Sequence, residues 1–290
     1  MTTITEPGLY LDVPNEEYHR GLLANPKPLS SSMAKSLVVK CPAEFQWEQT
    51  NRLESSAFDE GQAVHELVLE DGFKTVDVHP FDSWRSKEAR TARDESYAAK
   101  RHPLLEHDVE PLVTMAGAVK RSPLAAAELS HGRPEVSLLV HDPEHGVPLQ
   151  ARVDWLRLPE WGAERPAIVD LKTTVLGANP RSFNREIAER RYHLSMAFYR
   201  RVLMLLGYDA PLLRFVAVSK RQPHLVSVHE VSESDRIVGD LLVNKAIATY
   251  AACLASGEWP GYDTQIHPTD MPAWATYEAE SIAGPIYEGA

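Results

Sequence analysis

Asp170 and Lys172 flank Leu171 at the end of an apolar run, Ala167 to Thr173. Read as a strand, the run turns Asp170 and Lys172 to one face and Leu171 to the other, into the core. A carboxylate and an ammonium fixed together at a strand end can hold a metal ion and balance charge on a reacting oxyanion. Ordinary surface strands carry such pairs too, so the pattern needs a second acid. Asp154 supplies it, sixteen residues earlier in Gln150-Ala151-Arg152-Val153-Asp154-Trp155. A charged Asp inside a strand is costly unless it is paired, hydrogen-bonded or metal-bound.

Two carboxylates and a main-chain carbonyl suit Mg²⁺, with Mn²⁺ as a substitute, because both ions take oxygen ligands. Lys172, on the same face, would stabilise a pentacoordinate phosphorus or help to deprotonate an attacking water. The combination is the equipment of metal-assisted phosphodiester hydrolysis. The chain offers no Gly-rich phosphate loop and no obvious Ser or Cys nucleophile. His65 lies beside the apolar stripe Val64, Leu67, Val68 of a helix over residues 59–70, a position that serves a structural histidine equally well.

The elements that must position these groups follow from periodicity and punctuation. Glu135 to Val140 and Leu149 to Leu158 alternate as a hairpin around a turn at Asp142–Gly146, and Ala167 to Thr173 adds a third strand. Residues 181–206 read as helical, Leu213 to Ser219 and Leu225 to Val231 as strands, and Glu233 to Ser256 as a long helix. Upstream, Ser30-Ser31-Ser32 caps a helix over Met33 to Val39, and a second starts at Pro42. Residues 1–28 read as an extended arm, 71–82 as irregular or weakly β, 84–102 as a basic helix or loop, and 110–130 as helices broken at Ser122-Pro123. The expected fold is mixed α/β. One domain spans 1–262, with a helical part over 29–130 and a catalytic core over 133–256, and an acidic tail follows over 263–290.

Apolar content of 43% and charged content of 24% are those of a globular protein. No stretch reads as a membrane span and the start resembles no leader, which predicts a cytoplasmic protein with no membrane partner. Cys41 and Cys253 form no CxxC pair and read as reduced thiols. The net charge of −11 does not exclude a nucleic acid, because charge is local: residues 85–101 hold six Lys/Arg against three acids, and 181–201 six against two. Either strip could equally be a solvated helix face.

With Asp154 on one strand and Asp170-Leu171-Lys172 on the next, the chain resembles the PD-(D/E)XK nucleases, in particular the exodeoxyribonuclease VIII (RecE-type) phage recombination exonucleases. Leu29-Ser30-Ser31-Ser32 with Cys41-Pro42-Ala43, Gly61 to His65 with Leu69-Glu70, Tyr192-His193 with Ala197-Phe198-Tyr199, and Trp259-Pro260-Gly261-Tyr262 carry the likeness in family order. The resemblance implies a restriction-endonuclease-like core with an N-terminal helical extension. Asp154, Asp170, the Leu171 carbonyl and His65 would be metal ligands, Lys172 the catalytic lysine, and Glu135 a further acid at the first strand. It implies an exonuclease that cuts one strand of linear duplex DNA 5′→3′ and hands single strand to an annealing protein. It also implies a homo-oligomeric ring, trimer or tetramer, in host cytoplasm if phage-encoded. Arg185, Arg190, Arg191, His193 and Tyr199 would then contact DNA. Two departures stand out: Ser195 occupies the position where relatives carry Gln, and Val153 replaces Pro before Asp154. An endonuclease or single-strand nuclease on the same core, a non-catalytic DNA-binding scaffold, and a small-phosphoester hydrolase are the alternatives.

Overall fold

A computed structural model of the chain describes residues 6–14, 17–18, 26–51, 56–70, 72–263 and 265–284, with only the backbone of 56–59. The strands are β1 (Gly8–Tyr10), β2 (Val76–His79), β3 (His102–Leu105), β4 (Gly132–His141), β5 (Pro148–Arg157), β6 (Ala167–Thr174), β7 (Leu212–Ser219) and β8 (Val226–Glu230). Six of them form one sheet in the order β1-β4-β5-β6-β7-β8. Every neighbouring pair is antiparallel except β6 and β7, which run parallel over their whole length. The helices are α1 (Ser31–Val39), α2 (Pro42–Thr50), α3 (Ser56–Leu69), α4 (Lys87–Ala98), α5 (Glu106–Arg121), α6 (Pro123–Glu128), α7 (Pro180–Glu189), α8 (Tyr192–Leu205), α9 (Glu233–Ser256) and α10 (Ala273–Ala283). The mixed α/β reading holds.

Both faces of the sheet are covered. On one, Val136, Leu138, Leu149, Ala151, Ile168 and Phe215 pack with α1, α8 and α9. On the other, Val169, Leu171, Val216 and Val218 pack with Ala63 and Val64 of α3 and Leu112 and Met115 of α5. Leu171 is fully buried, as the strand parity of Asp170-x-Lys172 requires. Gly239 explains how α9 meets α8 so closely: a Cβ there would stand 2.7 Å from the His193 carbonyl and 2.8 Å from Ala197 Cβ.

The structure refines several expectations. The arm contributes β1 to the sheet edge, pairing Leu9 with Leu138 of β4. Residues 76–79 form a second, parallel two-stranded sheet with β3; its pairing is non-local, so no short window of sequence contains it. The helical stretch 181–206 is two helices, because Arg191 adopts a left-handed backbone (φ +52°) between them. The tail contains α10, in which no residue is buried. α9 has the length and composition of a membrane span, with 24 residues and a window of mean hydropathy 1.4. Its Val243, Ala246, Ile247 and Tyr250 nevertheless belong to the core.

Candidate active site

β4 and β5 keep one register, with Pro134 opposite Trp155 and Val136 opposite Val153. Glu135 and Asp154 therefore face each other across the hairpin. Regular strand geometry fails at both. Glu135 takes a left-handed backbone (φ +49°), uncommon for a non-glycine residue and frequent where a functional group must be aimed. On β5, Val153 and Leu156 both enter the same core layer, so the alternation of faces is interrupted at Asp154.

β5 and β6 pair only from Arg157–Ala167 to Trp155–Val169. At the next step the Asp154 side chain takes over from the ladder: its Oδ2 accepts the Leu171 N–H at 2.9 Å. Across this fork, the Lys172 ammonium ion-pairs with Asp170 Oδ2 and stands 3.8 Å from Asp154 Oδ2. Burial opposes the Lys172 charge, but Asp170 and Asp154 outweigh it and hold the ammonium above its ordinary range. Asp170 is buried; burial first, and the Asp154 charge second, push its carboxyl upward, with Lys172 pulling the other way.

His65 reaches the fork from α3. Its Nε2 lies 2.8 Å from the Leu171 carbonyl, which can only accept, so Nε2 carries the proton. The lone pair of the neutral ring is then on Nδ1, 3.6 Å from Asp154 Oδ2. α3 is anchored by buried Glu66, which accepts the N–H groups of Lys74 at 2.6 Å and Thr75 at 3.1 Å.

His65, Glu135 and Asp154 each bring one donor atom into a group lying within 4.8 Å of one another. Burial, then the Asp154 charge, pushes Glu135 up to about 8, with Arg152 partly offsetting both. Two facing carboxylates that repel each other, beside an imidazole lone pair, fit a hard divalent cation, which would supply the missing positive charge.

Asp154, Glu135 and His65 thus converge, whereas Asp170 lies outside that trio and pairs with Lys172. The Leu171 carbonyl, expected to face a metal, accepts from His65 and, at 3.3 Å, from Lys172. Two donors occupy its two lone pairs.

The helical side of the site is built by α8. The Tyr192 ring centre is 5.3 Å from the Lys172 ammonium. The Tyr199 hydroxyl accepts from Ser31 Oγ at 3.2 Å; burial, then Asp170 and Asp154, raise this phenol so that it stays neutral. Ser195 is buried in the helix, and the Nδ1 of His193 lies 3.4 Å from the Ile187 carbonyl. Arg190 and Arg191 border an open groove of about 430 Å³ with Lys35, Lys40 and Tyr192. Exposed Arg185 pairs with Glu189 at 2.6 Å and, among the described residues, has no contact with the site. In the other basic strip, Arg101 ties β2 to β3 through Asp77 and the Val76 carbonyl, a structural use. Lys35 is the site residue that sequence reasoning missed: one lysine on an amphipathic helix carries no signal of chemistry.

A family model described as a PDDEXK-like domain of unknown function (DUF3799) matches residues 30–268. Among solved structures, the chain is similar to a "Putative exonuclease" from Eubacterium rectale, with a TM-score of 0.59 and 13% identity over 95% of this chain and 100% of that one. At that identity the likeness is one of fold. A second structure, of SSO0001, gives a TM-score of 0.38 and 13% identity over 80% of this chain and 81% of that one. No curated protein matches. The family match covers both strands of the fork, the α3 histidine and the helix that closes the site, and the chain belongs to the PDDEXK-like family (DUF3799).

Proposed function

We propose that this protein is a Mg²⁺-dependent deoxyribonuclease that removes nucleotides from one strand of linear duplex DNA, working 5′→3′ from an end. The observation that carries this reading is the fork at Asp154. A strand carboxylate, a facing carboxylate at Glu135 and a charged Lys172 meet where β5 and β6 stop pairing. Asp154, Glu135 and His65 would hold the ion, with Asp170 beside them. Bound there, Mg²⁺ would polarise a phosphoryl oxygen and lower the pKa of an attacking water. Lys172, kept charged by Asp170, offers its ammonium to the oxygen on which negative charge grows. Tyr199 stays neutral and can donate its phenolic proton to a phosphate oxygen. Arg190 and Arg191 would steer the strand along the groove.

The resemblance to RecE-type enzymes, and the name of the Eubacterium rectale protein, support end-directed cleavage over internal cutting. The same resemblance supports a trimeric or tetrameric ring with the basic groove lining its channel, a single-strand annealing protein as the recipient of the product, and a cytoplasmic setting. The test compares linear duplex with covalently closed circular duplex in Mg²⁺. Loss of the linear form alone supports the reading, and nicking or linearisation of the circle refutes end-dependence.

A further inference from the structure

Lys35 projects from α1 into the same groove. Its ammonium stands 5.7 Å from the centre of the Tyr192 ring, and that of Lys172 stands 5.3 Å from the same centre. One aromatic ring thus carries two cations, each favoured by the ring's negative face. The other cations of the groove mostly have acids: Lys40 pairs with Glu48, and Arg190 with Glu186 at 3.1 Å. Among the described residues, Lys35 and Arg191 have no ion pair. Burial, then the Lys172 charge, pushes Lys35 down to about 8, with Asp170 pulling the other way and Arg190 adding a smaller push in the same direction as Lys172. A half-buried ammonium crowded by cations and without an ion pair is a seat for an anion that arrives with the substrate.

We propose that Lys35, seated on Tyr192 beside Lys172 and flanked by Arg191, receives the backbone phosphodiester adjacent to the one being cut, and so sets the register of the strand. This rests on the nuclease reading, since it is the cut phosphate that would lie at Lys172. Two ammonium groups at 5.7 and 5.3 Å from one ring centre are close enough to be met by two phosphates of one strand. The ligand chemistry is a phosphate, and the source assigned is an internal diester rather than a terminal monoester. The charged and titratable groups facing Lys35 are Lys172 and Asp170 from β6, Arg190 at the end of α7, Arg191 between α7 and α8, and Tyr192 from α8, with Lys40 and Glu48 farther along the groove. Burial raises Tyr192, which therefore stays neutral while Lys35 titrates.

The test is binding of a labelled duplex with 5′-hydroxyl ends in EDTA, where cleavage does not intervene, read by fluorescence anisotropy. Lys35→Met should weaken binding about tenfold, the size of one charge-assisted contact, and lower the salt slope by about 0.9. A single neutral methylphosphonate at the adjacent linkage should weaken wild type by the same factor and leave Lys35→Met unaffected. Wild-type affinity should fall from pH 7 to pH 9, while Lys35→Arg, charged throughout, should bind well and lose that dependence. The Arg variant and the methylphosphonate scan on wild type read the contact even if the Met variant folds poorly. The proposal is overturned if a folded Lys35→Met binds as wild type, or if methylphosphonate penalties are equal in both proteins. It is equally overturned if the loss appears only with 5′-phosphorylated ends. The nuclease reading is judged separately, by wild-type cleavage in Mg²⁺.

Discussion

Asp154 Oδ2 accepts the Leu171 N–H at 2.9 Å, so a side chain continues the β5–β6 ladder where main-chain pairing has stopped. On the proposed function one carboxylate has two tasks, bridging the fork and bearing charge toward a cation. The tasks separate by mutation. Asp154→Asn keeps an oxygen that can accept the N–H and should fold nearly as wild type while losing cleavage. Asp154→Ala leaves that N–H unpaired and should lose about 1–3 kcal/mol as well. Chemical denaturation beside a cleavage assay checks both; equal destabilisation by the two variants would mean that the hydrogen bond is not what Asp154 contributes to folding.

Removing the Lys172 cation strands a buried carboxylate. Lys172→Met should cost about 3–5 kcal/mol, the usual penalty for breaking a buried pair. The loss should shrink at low pH. Asp170 already has a raised folded-state pKa, so its protonated form stabilises the fold at acid pH, and that stability disappears as pH rises through the folded value. Adding Asp170→Asn to Lys172→Met should recover much of the loss at pH 8, measured by urea denaturation at pH 5 and pH 8.

Glu135 gives the metal-free protein a pH signature of the same sign. Its pKa near 8 lies above the unfolded value, so the native state holds the extra proton between about pH 4.5 and 8. Stability contributed by that proton is complete below the unfolded pKa and is lost as pH rises through 8. In EDTA, the melting temperature should therefore decline over this window, and Glu135→Gln should flatten the decline. Mg²⁺ should stabilise the wild type more at pH 8.5 than at pH 6, because the ion displaces a proton. Melting curves across pH, with and without Mg²⁺, show whether it does.

Arg190 and Arg191 border the groove, whereas Arg185 is turned away with Glu189. Double charge reversal at Arg190 and Arg191 should lower the slope of log binding constant against log salt by about 1.8, at roughly 0.9 per phosphate contact. Unchanged salt dependence would remove these arginines from the DNA path.

Most of the core strands were legible because their apolar residues alternate over short windows; β6 and the long helix α9 fall at or within a residue of the expected bounds. The lysine and both aspartates were legible because a charged residue inside an apolar strand demands a partner. Three features were not. The parallel β2–β3 pair joins segments separated by a whole helix. The left-handed backbone at Glu135 is a tertiary compromise, and nothing in Pro134-Glu135-Val136 announces it. The Lys35–Tyr192–Lys172 grouping joins three elements and is visible only once they pack.

The central claim is that the fork at Asp154, Asp170 and Lys172 cuts phosphodiester bonds from a DNA end. The direct measurement is incubation of a linear duplex, labelled separately at each 5′ and 3′ end, with Mg²⁺ and wild type, Asp170→Asn or Lys172→Ala. Wild type should release 5′-label as short products while the 3′-labelled strand shortens progressively, and both variants should be slower by at least about a hundredfold. Cleavage that survives both substitutions would contradict the account.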